Sequence, residues 1–440
     1  MAEVDAARLA AYDVLKAVRV EDAYANLALP IALRAHGLSG RDAAFATELV
    51  SGTIRGQGTY DAVLAACVDR PLAKVQAKVL DPLRLGAHQL LSMRVPAHAA
   101  ISTTVDLVGA KSGHRAGGFA NAVLRRVSEH DVLEWVRRVA PDPATDPVGF
   151  ASVAYSHPRW VVEAFRDAVG VDQLDALLAA DNRPPRVVLA ARPGRSTRDE
   201  LPGVPTAFSP YGVELAGGDP GAIPAVAQGR AGVQDEGSQL VALALAGAEI
   251  GGPDARWLDL CAGPGGKAAL LAVSAGDDVR ILAADRAPHR AHLVAQATSG
   301  EPVAVVSADG LAAPWRTGFA DRVLVDAPCS GLGALRRRPD ARWRRTAQDV
   351  TDLAELQRGL LAAGMSAARS GGVVAYVTCS PHKAETVDIV EWALARSGAT
   401  ALDARASLPP EMPFLGAGPY VQLWPHRHGT DAMFLALLRV

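Results

Sequence analysis

Two of the four cysteines in this 440-residue chain have closely matched surroundings. Cys329 lies in Asp326-Ala327-Pro328-Cys329-Ser330-Gly331 and Cys379 in Thr378-Cys379-Ser380-Pro381; each follows an apolar run and precedes a serine. A lone cysteine is usually a small buried hydrophobe, and that is the reading of the Cys67 and Cys261 thiols. Two thiols at neighbouring strand ends instead suit a reaction that must attach to its substrate and then release it. Methylation of cytosine at C5 is such a reaction. C5 is too weak a nucleophile to attack a methyl sulfonium, but a thiolate adding at C6 makes C5 an enamine-like carbon that accepts the methyl group. Loss of the C5 proton and expulsion of the thiol complete the turnover, which gives a second acid–base thiol a task. Asp326, three residues before Cys329, offers a carboxylic acid near N3 to stabilise the adduct. Spacing alone leaves open which cysteine attacks.

A second group reads as a cofactor site. Asp259-Leu260-Cys261-Ala262-Gly263-Pro264-Gly265-Gly266-Lys267 joins an apolar run to a helical one, and its glycines let the backbone approach a ligand closely. Gly263-x-Gly265-x-x-Ala268 satisfies a dinucleotide-type fingerprint. Cys261 and Ala268 stand where a P-loop needs Gly and Ser/Thr. Asp285, followed by Arg286, ends the next apolar run, where a carboxylate accepts from ribose hydroxyls. Asp309 ends the third, within reach of an adenine amino group. The plain alternative for either aspartate is a helix N-cap. Together they imply an adenosine-containing cofactor, either a dinucleotide or S-adenosylmethionine. The paired cysteines have no evident use in a dehydrogenase.

The elements that must carry these residues are legible from residue 255 onward. RWLDL, VRILAAD, PVAVVSAD, DRVLVDAP and GGVVAYVTC are short apolar runs with polar C-terminal ends, separated by helical stretches. That alternation predicts an α/β fold, an open and mostly parallel sheet with helices on both faces. Ligands of such sheets lie beyond the C-terminal strand ends, where every residue named above falls. YVQLWP and MFLALLRV predict a closing antiparallel pair. Residues 1–140 read as helices throughout, in ARLAAYDVLKAV, RDAAFATELVSGTIR, LDPLRLGAHQLL and AGGFANAVLRRV, each with three-to-four apolar spacing. Pro30, Pro71, Pro82 and Pro96 are expected between these helices or at their starts. Residues 141–230 read as a linker, PDPATDPVG, then a helical piece, HPRWVVEAFRDAVG, and a small mixed subdomain with PPRVVLAAR as a strand; residues 231–440 form the catalytic domain.

Composition narrows the class further. The chain is 49% hydrophobic and 21% charged, with a net charge of −2. No apolar run reaches membrane-spanning length, and the first residues lack the basic-then-apolar pattern of an export signal. A cytoplasmic monomer is expected. Four cysteines without a CxxC pair suit neither a disulfide framework nor a zinc site. His157, His426 and His428 have no ligand spacing, so no metal is expected. A neutral chain can still carry a basic groove. Arg336, Arg337, Arg338, Arg342, Trp343, Arg344 and Arg345 directly follow the Cys329 segment; the arginines would contact RNA phosphates and Trp343 would stack on a base. Lys111, Arg115, Arg125 and Arg126 are weaker candidates in the helical region.

Taken together, DLCAGPGGK, DAPCSG and TCS resemble the motifs of the bacterial Sun/Fmu group of small-subunit ribosomal RNA cytosine-C5 methyltransferases, within the NOL1/NOP2/Sun family. DRPLAKVQAKVLDPLRLGAHQLL with FANAVLRRV resembles the NusB-like RNA-binding domain of that group, so the resemblance covers nearly the full length. It implies a Rossmann-like S-adenosyl-L-methionine-dependent methyltransferase domain behind an all-α NusB-like domain. The implied substrate is a cytosine in 16S rRNA, with transfer RNA the alternative within the class. It further implies that Cys379 is the nucleophile and that Cys329 aids product release. By the same resemblance Asp285 and Asp309 hold the cofactor, and Asp326 and Lys267 lie near its methionine end and the target base. HGTDAMF departs from the family's Gly-Thr-Asp-Gly-Phe-Phe at Ala432 and Met433, which puts the local loop geometry in question. A non-catalytic RNA-binding factor would be the reading if either loop cysteine were missing. Both are present.

Overall fold

Helical periodicity in the first part of the chain and strand–helix alternation in the second are realised as two units of the computed structural model, which describes residues 4–440. One unit runs to Arg183 and includes Leu335–Arg344; the other comprises Pro184–Ala334 and Arg345–Val440.

The first unit is built from helices between Ala6 and Asp181. Side-chain caps start several of them: Asp5 accepts from the Arg8 N–H at 2.9 Å, Asp131 from Glu134 at 2.8 Å and Asp146 from Gly149 at 2.9 Å, each satisfying a donor the helix leaves orphaned. Val63, Leu64, Leu83, Val108 and Leu124 form one fully buried core of this unit. Two expectations are corrected. Pro30 and Pro82 lie inside the helices Ala25–Ala35 and Ala77–Leu91 rather than at their starts; Pro82 is buried in the packed face, where contacts offset the missing N–H bond. Past residue 140 the helical piece HPRWVVEAFRDAVG is realised as Arg159–Val169, and it is joined by the helices Pro147–Ala154 and Val171–Asp181. The Asp146-Pro147 pair that reads as linker is a helix start, with aspartate as cap and proline at the first helical position.

The second unit opens with a small antiparallel sheet of β1 (Val188–Ala191), β2 (Val204–Pro205), β3 (Gly212–Glu214) and β4 (Ala231–Val233), in the order β2-β3-β1-β4. Its main sheet holds β5 (Arg256–Asp259), β6 (Arg280–Asp285), β7 (Val303–Ser307), β8 (Ala320–Asp326), β9 (Ala368–Thr378), β10 (Thr400–Leu402), β11 (Val421–Gln422) and β12 (Phe434–Arg439). The order is β10-β12-β9-β8-β5-β6-β7, with β11 on β12. Strands β5 to β9 are mutually parallel, and β12 is antiparallel to β9, β10 and β11. Successive residues serve opposite faces: Leu324 joins Trp257, Leu271 and Val377 in one core, while Val323 and Val325 join Leu258, Leu361 and Tyr376 in the other. Both faces are covered at the centre of the sheet, which is why Val323–Val325 and Val373–Val377 are uninterrupted apolar runs. Connections run outward in both directions from the β5/β8 boundary, so the sheet has a switch point there. Among the described residues no helix is long and apolar enough to cross a membrane.

Candidate active site

The cofactor-type loop leaves β5 at this switch point. Asp259 ends the strand 1% exposed. Burial, then the neighbouring Asp326 carboxylate, push its carboxyl up to about 8, against the pull of Lys267 and the Cys261 N–H. Ala262 donates its N–H to Ala284 O at 2.8 Å and Gly265 to Ala262 O at 2.7 Å, turning the chain into the helix Gly266–Ser274. Gly265 has φ +110°, and a Cβ there would lie 2.7 Å from Ala297 Cβ and 2.9 Å from Val294 Cα. Only glycine fits that position. Cys261 is half-buried beside three aspartates, and burial followed by their charge pushes its thiol up.

The acidic strand ends behave differently from one another. Asp285, buried at the end of β6, accepts from the Gly263 N–H at 3.0 Å and the Ala287 N–H at 2.9 Å. It pairs with Arg290 at 3.4 Å, and Arg290 in turn donates to Gly263 O, so Asp285 braces the glycine loop. Asp309 caps the short turn Gly310–Ala312 through Leu311 N–H at 3.0 Å; the N-cap alternative is thus realised there. Arg286 is exposed. Pro264, Gly266 and Arg192 line a cavity of about 200 Å³ against the small sheet.

Asp326 at the end of β8 pairs in register with Val377 near the end of β9, so the two cysteine segments leave the sheet side by side. Cys329 Sγ and Cys379 Sγ are 3.3 Å apart. The Cys329 thiol is held well above its ordinary range by its hydrogen bond to the Cys379 sulfur, then by burial. Lys267 Nζ donates to Asp326 Oδ2 at 2.8 Å. Burial opposes the lysine charge, but the Asp326 carboxylate outweighs it and raises the ammonium. The structure therefore brings Cys329, Cys379, Asp326, Lys267 and the glycine loop to one end of one sheet.

Behind the thiols lies a group that sequence reasoning did not find. Glu385 is fully buried and accepts from the Ser330 N–H at 2.7 Å, the Ser330 hydroxyl and the Ser380 hydroxyl at 2.6 Å. Gln357 Nε2 donates to Glu385 at 3.1 Å and to Pro328 O at 2.9 Å. A glutamate six residues after Cys379 in a loop carries no periodic signal; the available clue was the serine after each cysteine. Gly333 donates to Cys379 O at 2.9 Å and accepts from Ala432 at 2.8 Å. A Cβ on Gly333 would meet the Cys379 carbonyl. Ala432 is thus stitched to the Cys379 loop through its backbone, and Met433 is buried in the core, so the two departures in HGTDAMF fall on residues the fold accommodates.

The arginine run does not form one phosphate-facing surface. Arg342 is 0% exposed and donates to Ser156 O and Asn182 Oδ1 at 2.9 Å, Arg55 O at 3.3 Å and Asp181 O at 3.4 Å, all in the helical unit. Burial pulls its guanidinium down to about 10. Trp343 Nε1 donates to Ile54 O at 2.7 Å, and Arg344 donates to Asp22 and Ala23 carbonyls and lies 4.3 Å over the Tyr24 ring. These three residues stabilise the helical unit rather than present charge to solvent. Arg336 is buried, Arg337 and Arg345 are half-buried, Arg345 donating to Ser330 O at 3.3 Å, and Arg338 is exposed. Arg115 and Arg125 are exposed; Arg126 reaches Cys67 O and Asp69, and Lys111 covers the Tyr12 ring. His157 is buried against Tyr155 O, and His428 accepts from the Trp424 N–H while its Nε2 meets Pro413 O.

Residues 250–439 match the family model described as 16S rRNA methyltransferase RsmB/F, and residues 5–129 match the NusB family. A Mycobacterium tuberculosis protein, named as a methyltransferase with no substrate stated, is 54% identical over 443 residues, covering 99% of this chain and 97% of that one. The ribosomal RNA small subunit methyltransferase B of Pseudomonas syringae pv. tomato is 34% identical over 420 residues, covering 92% of this chain and 90% of that one. Among solved structures, that of NSun6 from Pyrococcus horikoshii with SFG is similar in fold, with a TM-score of 0.54 at 17% identity over 64% of this chain and 98% of that one.

Proposed function

Because the chain belongs to the 16S rRNA methyltransferase RsmB/F family, we propose that it methylates C5 of a cytosine in 16S rRNA through a covalent bond from Cys379 to C6. The enzyme is an S-adenosyl-L-methionine-dependent rRNA methyltransferase. When bound, that cofactor supplies an electrophilic methyl group. The residues present fit it: Asp285 and Asp326 hold carboxylates against the glycine loop at Gly263 and Lys267, and Asp309 follows the end of β7, suited to ribose hydroxyls and to a cationic sulfonium and ammonium. Cys261, Ala262, Gly263, Pro264, Gly265, Gly266, Lys267 and Arg286 complete the proposed cofactor surface.

The observation that carries the reading is the pair of sulfurs 3.3 Å apart beside the Lys267–Asp326 pair. The Cys379 thiolate adds to C6 while N3 takes up a proton passed from Lys267 through Asp326, which stabilises the adduct. C5, now electron-rich, takes the methyl group. As C5 gives up its proton to the Cys329 sulfur, which passes its own proton to the Cys379 sulfur, the double bond re-forms and the S–C6 bond breaks. The N3 proton returns to the Lys267–Asp326 pair. Cys329, held protonated by its surroundings, donates its S–H to the departing Cys379 sulfur and so eases release. The thiols must stay reduced, which suits the cytoplasm. On the helical unit, the exposed Arg115, Arg125 and Arg338 are the side chains for RNA phosphates.

Bisulfite sequencing of rRNA from cells with and without the gene tests this. One cytosine of 16S rRNA should lose its protection when the gene is absent. Unchanged 16S protection with a lost tRNA signal would move the substrate within the class, and no change in either RNA would refute the reading.

A further inference from the structure

Two serines follow the two cysteines, and one buried carboxylate grips both. Glu385 accepts from the Ser330 N–H, the Ser330 hydroxyl and the Ser380 hydroxyl, and the two hydroxyls lie 3.3 Å from each other. Gln357 Nε2 ties the same carboxylate to Pro328 O, one residue before Cys329. The Tyr376 hydroxyl donates to the Glu385 carbonyl at 2.9 Å, fixing the glutamate backbone against β9. These bonds join the two turns laterally, alongside the Gly333–Cys379 backbone bond and the contact between the sulfurs. A carboxylate only accepts, and its partners here all donate to it, an arrangement that fits a side chain of this length.

We propose that Glu385 is a positioning residue that clamps the Cys329 and Cys379 turns together and sets the distance between their thiols. The inference rests on the two-thiol reading of the site, but its consequence is geometric and can be measured without turnover. Substituting Ala removes every side-chain bond to the two serines. Substituting Asp keeps the charge but draws it back by one methylene, too short to hold both turns. Gln keeps the length, and its amide can still pair with both hydroxyls because those rotate to accept or donate.

The test oxidises the full-length protein with diamide. The Cys329 and Cys379 thiols lose two protons and two electrons to the azo bond of diamide, which becomes a hydrazine, and an Sγ–Sγ bond forms. The rate is read by mass spectrometry of the linked peptides. Glu385→Ala and Glu385→Asp should slow disulfide formation by about tenfold or more, and Glu385→Gln by no more than about threefold, because intramolecular rates depend steeply on alignment. In methylation assays the first two should lose kcat by about 100-fold with little change in KM for RNA, and Gln should restore most of it. Ser330→Ala with Ser380→Ala, which empties the clamp from the other side, should slow the disulfide as Glu385→Ala does. A wild-type rate of disulfide formation in Glu385→Ala or Glu385→Asp that still binds S-adenosylhomocysteine overturns the clamp, as does a wild-type protein that forms no Cys329–Cys379 disulfide. Slowed disulfide formation together with no methylation by any form, wild type included, upholds the clamp and refutes the catalytic reading instead.

Discussion

Lys267 Nζ donates to Asp326 Oδ2 across 2.8 Å, and this bond joins the glycine loop after β5 to the strand that carries Cys329. The pair is mostly buried, so its charges act in a medium where they are little screened. It fixes the carboxylate proposed to face N3 and supplies a positive charge that acts on Cys379. Lys267→Met, which keeps the stem and deletes the charge, should lower single-turnover methyl transfer by about 100-fold, roughly 2.7 kcal/mol. Cofactor affinity should change by less than about tenfold if the charge serves chemistry more than binding. Rapid-quench transfer of a labelled methyl group beside a cofactor titration checks this; a large loss in affinity with normal transfer would reassign the lysine to cofactor binding alone.

Asp259 makes a second prediction, in the protein without cofactor. Its folded-state carboxyl titrates near 8 because it is buried beside Asp326, against about 3.9 in an unfolded chain. Between those pH values the folded protein retains a proton that the unfolded chain has released. Stability from this group therefore falls as pH rises through that window. Asp259→Asn should melt above the wild type at pH 8, and the difference should shrink toward pH 4. Melting curves across that range decide it: an equal gap at both ends would mean that Asp259 is ionised in the fold.

Arg342 carries a prediction opposite to the one its surroundings in sequence suggest. Its guanidinium bonds to four oxygens of residues 55, 156, 181 and 182, and their loss strands buried acceptors. Arg342→Ala should cost about 3 kcal/mol or more of stability, seen as a lower melting temperature. Cofactor affinity should be unchanged. A variant as stable as the wild type would return this arginine to the solvent-facing role.

That contrast shows what was and was not legible. The strand ends could be read because each of VRILAAD, DRVLVDAP and GGVVAYVTC carries a mostly buried apolar run, Ile281–Ala284, Val323–Val325 and Val373–Val377, that stops at a polar residue, a pattern set by local chemistry. YVQLWP and MFLALLRV likewise pair as β11 and β12, Val421 facing Leu435. Arg342 could not be read, because six arginines in ten residues look like a solvated face until their partners arrive from positions 160 to 287 residues away. Glu385 was hidden for the same reason: its partners Ser330 and Gln357 are remote in sequence. The helix that starts at Pro147 was hidden in the linker-like PDPATDPVG because Asp-Pro marks both a linker and a helix start.

The two cysteines should fail in different ways. Cys379→Ala removes the sulfur proposed to attack C6, so neither methyl transfer nor a covalent RNA adduct should form. Cys329→Ala leaves that sulfur in place, so attack and methylation remain open. It removes the S–H that lies 3.3 Å from Cys379 Sγ and is held on its proton there, so the departing thiolate loses its hydrogen-bond donor. The methylated intermediate should then persist, with protein covalently joined to RNA. Denaturing electrophoresis of each variant with 16S rRNA and S-adenosyl-L-methionine separates the cases. A slow-migrating adduct for Cys329→Ala alone supports the assignment, and one for Cys379→Ala alone reverses it. Methylation persisting in both variants, with no adduct in either, would exclude a thiol mechanism, since neither sulfur would then be needed to activate C5.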